Sequence, residues 1–114
     1  MALSTFDRHT IVVLEPQLIE ERGELVEDWS APTRRQVPGC SVQPGAGARD
    51  MEHGDGVTAD FTVYLPPDAD VPPRARIELP EQTSGQFTIQ GEPERWVFGF
   101  STDHIRIRLR RRDG

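Results

Sequence analysis

At 114 residues and 12.8 kDa the chain has room for one domain, and with 35% apolar and 28% charged residues it is expected to fold around a thin core. Ten prolines and ten glycines favour turns and short strands over long helices, and a net charge of −6 argues against a general nucleic-acid binder. No run approaches the ~18 consecutive apolar residues of a membrane span, and the lone Cys40 excludes an internal disulfide and a zinc ribbon.

No basic-then-apolar leader opens the chain, so a soluble product made in a cytoplasm is expected. So little interior is left that an enzyme with a deep pocket is not expected either. All thirteen basic side chains are arginines, and charge is segregated. Residues 1–30 hold seven acids against Arg8 and Arg22, a local −5, whereas 104–114 hold five arginines against Asp113, a local +4. Such ends are either two solvated faces or complementary surfaces of neighbouring copies.

In chain order, Thr10-Ile11-Val12-Val13-Leu14 reads as a first strand that Pro16 ends. Residues 18–29 carry two apolar stretches around Arg22-Gly23. The glycine supplies the positive φ of a tight turn, so a hairpin is preferred to a helix over 17–29. Residues 30–39, with Pro32 and Pro38, read as a connector. Cys40-Ser41-Val42-Gln43 alternates as a short strand with Cys40 and Val42 inward, which makes Cys40 a buried, inert thiol.

The stretch Pro44-Gly45-Ala46-Gly47-Ala48-Arg49-Asp50-Met51-Glu52-His53-Gly54-Asp55-Gly56 has almost nothing to bury and is expected to be a projecting flexible loop. Beyond it, Val57, Ala59, Phe61, Val63 and Leu65 alternate with polar residues as the clearest strand. A proline-rich connector over 66–73 precedes a strand with Ala75, Ile77 and Leu79 inward. Ser84-Gly85 turns into a strand bearing Phe87 and Ile89. Residues 92–103 lack a period and read as a loop pinned by Trp96, Phe98 and Phe100, with Trp29 and Trp96 as core anchors ahead of interface hot spots. Ile105, Ile107 and Leu109 alternate with Arg106, Arg108 and Arg110 in a last strand. About seven short strands between turns predict an all-β single domain, a small antiparallel barrel or sandwich with a long Gly-rich loop.

Chemistry finds little footing. Asp50-Met51-Glu52-His53-Gly54-Asp55 has ligand-type atoms without a metal-site spacing, and adjacent Asp103 and His104 point to opposite faces of a strand. No phosphate loop, nucleophile elbow or His-x-x-x-His pair occurs, so no catalytic residue, metal or cofactor is assigned. Arg106, Arg108 and Arg110 would project about 6.6–6.8 Å apart. That could track phosphates, but no aromatic residues interleave to stack bases, and subunit contact or solvation is preferred.

The order of motifs carries a resemblance. The opening Thr-Ile-Val-Val-Leu strand is followed by Asp28-Trp29-Ser30, Val37-Pro38-Gly39-Cys40-Ser41-Val42-Gln43-Pro44 and the Gly-rich acidic loop. Then come Phe61 to Val71, Gly91-Glu92-Pro93-Glu94-Arg95-Trp96, and His104 opening the Ile/Arg/Leu strand. Over nearly its whole length the chain resembles the head-to-tail stopper, or head-completion, proteins of long-tailed bacteriophages, of actinobacteriophage type.

The resemblance implies a β-barrel subunit of the virion neck, assembled in the host cytoplasm into a homo-oligomeric ring of six or twelve copies. Such a ring sits below the portal and adaptor, closes the DNA exit channel after packaging, and presents a docking surface to the tail terminator or tail tube. Its loop between early strands, here Pro44–Gly56, would gate the channel, with Asp50, Glu52 and Asp55 repelling transient viral DNA. Glu20, Glu21, Glu24 and Glu27 of one subunit, or the acidic rim of an adjacent ring, would face Arg106, Arg108 and Arg110 of another. The rival readings are a tail terminator or other connector-region ring subunit, whose family usually carries a helix-flanked sheet, and a small barrel that binds nucleic acid or another ligand.

Overall fold

The computed structural model describes residues 9–45, 59–100 and 103–112. These form seven strands and no helix: β1 (His9–Glu21), β2 (Glu24–Pro44), β3 (Phe61–Leu65), β4 (Arg76–Glu78), β5 (Gln86–Ile89), β6 (Glu94–Trp96) and β7 (His104–Arg111). Every pairing is antiparallel, and β1, β2, β3, β7, β5 and β4 hydrogen-bond in that cyclic order, β4 returning to β1. Six strands thus close a barrel, which removes the open edges that a flat sheet of this size would expose. Strand β6 pairs with the start of β7, on the edge whose other end takes β5.

The inward set is the one that alternation predicts. Ile77, Phe87, Ile105, Ile107 and Leu109 are fully or almost fully buried, with Val63 and Leu65 from β3. The Phe87 ring stands edge-on to Phe61 at 5.4 Å. Each such side chain contributes about 1.5–3 kcal/mol of transfer free energy, which is the main force closing the barrel. Cys40 is buried in this core, and its Sγ lies 3.3 Å from the Val37 carbonyl oxygen.

The first two strands depart from expectation, being long rather than short. Pro16 does not end β1, and residues 30–39 are not a connector: both lie inside strands. The prolines are tolerated because they sit in β-bulges. Glu15 pairs with Thr33 but Gln17 pairs with Asp28, so Pro16 faces an excursion of β2 that contains Pro32. Likewise His9 pairs with Cys40 and Ile11 with Val37, which leaves Pro38 and Gly39 in a second bulge, where Gly39 takes φ 74°. Past the first bulge, Gln17–Glu21 and Glu24–Asp28 continue only as a two-stranded ribbon. Arg22 and Gly23, at φ 54° and 84°, close it in the two-residue turn that the sequence predicts.

Three further expectations are corrected. Residues 92–103 contain β6, and their aromatics do not pin the segment to the core, since Trp96 is 42%, Phe98 69% and Phe100 70% exposed. Strand β3 begins at Phe61, Ala59 and Asp60 being non-strand; Val57 and Thr58 lie outside the described residues. Thr62, expected to face solvent, is buried. Within the 66–73 connector, Val71 is buried and Ala69 packs on the core, so the connector lids the barrel rather than simply crossing it.

Candidate functional site

Strand polarity divides the barrel into two ends. The ribbon leaves at the end where β3 and β5 finish and β4 and β7 begin. At the other end β2 finishes and β3 begins, and this is the base of segment 46–58. Of the proposed gating loop, Pro44 and Gly45 are described; Ala46 to Gly56 lie outside the described residues.

That base is tied down by polar contacts. The Gly45 N–H donates to the Asp60 carbonyl at 2.8 Å, and the Thr62 hydroxyl donates to the Gly45 carbonyl at 2.7 Å. The Asp60 N–H donates to Leu109 O at 2.8 Å, and its carboxylate accepts the Arg111 N–H at 2.6 Å. Thr62 is therefore buried for a reason: its hydroxyl replaces a ladder partner at the point where the chain leaves the sheet. Sequence alternation missed Thr62 and Asp60 because their partners are 17 and 51 residues away.

The acidic residues of the hairpin come together on the ribbon. Glu21 stands directly opposite Glu24 and Ile19 opposite Val26, all on one face; Glu20 with Leu25, and Leu18 with Glu27, share the other. Leu18, Ile19 and Leu25 are 49%, 42% and 70% exposed. Glu27 approaches Arg74 at 3.9 Å, a surface contact of small weight. At the ribbon's root the Arg76 guanidinium lies 3.7 Å from the centre of the Trp29 ring, so Trp29 is no core anchor but a cover over β4. The hydroxyl and N–H of Ser30 both donate to Asp28 and hold its carboxyl below its ordinary range.

The arginines predicted as one stripe fall into two groups. Arg106 and Arg108 both donate to one carboxylate of their own chain, Glu94 on β6, at 2.7 and 3.2 Å. Arg110 points outward from the far end of β7, in a cross-strand row with Thr88 and Arg76. Arg112 follows, its N–H bonded to the Gln86 carbonyl at 2.8 Å. Desolvation first, then the nearby charge of Arg112, lowers the pKa of Arg76, and Glu27 opposes the shift. Arg111 turns aside to donate to the Ser84 carbonyl at 2.8 Å and covers the Phe87 ring.

The 96–100 segment is ordered through its backbone. Asp103 accepts the Gly99 N–H at 2.7 Å, and bonds from the backbone of Phe98 and Gly99 hold its carboxyl below 3.8. Trp96 stacks on His104, which meets Tyr64 edge-on at 5.4 Å. Among the described residues an open depression lies at Pro80–Gly85 and another where Arg35–Pro38 faces Pro66 and Asp68–Asp70. Among the described residues no cluster of three His, Cys, Asp or Glu side chains is arranged to hold a metal ion, and no helix is long and apolar enough to cross a membrane.

No protein-family model matches this chain, and no curated protein matches it. Among solved structures it is similar to the solution structure of protein SF1141 from Shigella flexneri 2a, with a TM-score of 0.59 and 16% identity over 92% of each chain. At that identity the likeness is one of fold alone.

Proposed function

We propose that this chain is a structural subunit of the head–tail connector of a long-tailed bacteriophage, a stopper whose ring lies below the portal and adaptor. In this reading the ring closes the DNA exit channel after packaging and offers the tail its docking surface. The reading comes from the order of motifs along the sequence. The observation that carries it furthest is the base of segment 46–58, where Gly45, Asp60 and Thr62 bind one another and β7 at one barrel end. In this reading the hydrogen-bonded base fixes where the gating segment leaves the barrel. The lack of any helix among the described residues favours a stopper over a tail terminator with its helix-flanked sheet.

The test is made on virions. Heads assembled without this chain package DNA, then release it and gain no tails, as read by nuclease sensitivity and electron microscopy. Complementation with a chain lacking residues 46–56 restores tail joining without DNA retention. Heads that stay nuclease-resistant and acquire tails in the absence of the chain overturn the reading.

A further inference from the structure

Among the described residues nothing covers the outer half of the β1–β2 ribbon, whose residues 17–25 are exposed. It extends about 15 Å beyond the first bulge at roughly 3.4 Å per residue, with an open edge on each side and two apolar residues on each face, Ile19 with Val26 and Leu18 with Leu25. A two-stranded ribbon alone is marginally stable in water. Here it is burdened further, because Glu21 and Glu24 are directly opposite, an arrangement that repels. Residues 17–28 hold five acids against Arg22, a local −4, and among the described residues no ion pair engages Glu20, Glu21 or Glu24.

The same chain carries the complement. On the outer face of β4, β5 and β7, Arg76, Arg110 and Arg112 stand among Thr88, Gln86 and Glu78, whose carboxylate pairs with Arg34. Among the described residues neither Arg110 nor Arg112 has an acidic partner. Within one copy Glu27, at the ribbon's root, already bears on Arg74 and Arg76, whereas Glu21 and Glu24 stand at the ribbon's tip and β7 finishes at the opposite barrel end, so the tip acids and Arg110 and Arg112 are left to meet between copies.

We propose that the ribbon of one copy lies across the outer β4–β5–β7 face of a second copy, with Glu21 and Glu24 set against Arg110 and Arg112. The Ile19 and Val26 pair then covers the aliphatic stems of Gln86 and the arginines, and each ribbon gains the third layer that a lone hairpin lacks. The contact joins two different surfaces, so it is heterologous and closes into a ring when the rotation between copies allows. It rests on the connector reading for the expectation that copies assemble, and it names the contact that holds them.

The experiment uses the purified full chain in sedimentation velocity at about 50 mM and about 500 mM salt, a span over which the Debye length falls roughly threefold. The expected result is self-association that weakens at high salt. Glu21→Arg/Glu24→Arg and Arg110→Glu/Arg112→Glu each weaken it roughly a hundredfold, and an equimolar mixture of the two variants restores association between them. Circular dichroism checks folding, and the milder Glu21→Gln/Glu24→Gln and Arg110→Gln/Arg112→Gln pairs serve if a reversal unfolds. A chain that stays monomeric at low salt, or one whose assembly ignores both reversals, overturns the proposal while leaving the virion test of the connector reading standing. Arg110 and Arg112 binding duplex DNA in place of the ribbon overturns it as well.

Discussion

Replacing Glu94 with glutamine isolates what the Glu94 carboxylate contributes to the barrel. Its two oxygens accept from Arg106 at 2.7 Å and Arg108 at 3.2 Å, and the three side chains are only 30%, 17% and 20% exposed. A charge-assisted hydrogen bond is worth about 1.5–3 kcal/mol, and the residual solvent access reduces each of these to roughly 1–1.5 kcal/mol. The amide keeps one acceptor, aims its NH2 donors at a guanidinium, and removes the negative charge that the two arginines share. The expected loss is therefore about 2–3 kcal/mol, read as a drop of about 10 °C in melting temperature for a domain of this size and checked by urea denaturation. Arg108→Gln in the Glu94→Gln background should recover about 1 kcal/mol by relieving the repulsion. A Glu94→Gln chain within 0.5 kcal/mol of the parent refutes the reasoning, since water would then be screening both arginines.

Gly23→Ala places a methyl where φ is 84° and nothing lies within 4 Å, so the cost is backbone strain of about 1 kcal/mol. Because the ribbon lies outside the barrel, that cost should appear as faster hydrogen exchange of the Gln17–Asp28 amides, with an unchanged melting temperature. Phe87→Ala empties the centre of the core beside Phe61 and is expected to cost about 3–5 kcal/mol in denaturant titration. The Asp103 carboxyl has a folded-state pKa below its ordinary 3.8, so the order it lends to 98–100 is full above pH 3.8 and is lost as pH falls through the lowered value. Trp96 fluorescence in a Trp29→Phe background should follow that loss, and Asp103→Asn should abolish the transition.

Alternation made the barrel legible wherever a strand has one wet and one dry face. Ala75, Ile77 and Leu79 turn inward as their spacing says, as do Ile105, Ile107 and Leu109. It is silent over 17–28, where the ribbon meets water on both faces and the turn residues alone mark the hairpin, and it misleads at Pro16 and over 30–39, where proline reads as a break in the strand. Pro16, Pro32 and Pro38 instead occupy bulges, and bulge positions are set by pairing with a strand elsewhere in the chain. The candidate site was legible as charge and not as contact. Five arginines at the end of β7 were plain, but that Glu94 holds two of them while Arg110 and Arg112 remain outward depends on β6, three residues with no period of their own. The turn at Arg22-Gly23 was readable because one backbone conformation selects its residues.

A six-stranded barrel this small fills its interior with its own side chains, so whatever the chain recognises must be met on the outside. Among the described residues the exposed large apolar side chains fall into two groups, the ribbon and 96–100. Phe98 and Phe100 are about 70% exposed yet sit on backbone held by the Asp103 carboxylate, so their exposure is not the slack of a loose loop. Aromatics held in water on an ordered segment gain free energy only when something covers them. Phe98→Ser with Phe100→Ser is therefore expected to leave the melting temperature within about 2 °C of the parent, because so little of either ring is buried in the lone chain. In the connector reading the same pair blocks tail joining while heads keep their DNA, a result read by electron microscopy of complemented particles. A fall in melting temperature of about 10 °C would mean that the two rings pack on the barrel and serve its fold, and the segment would lose its claim to be a docking surface.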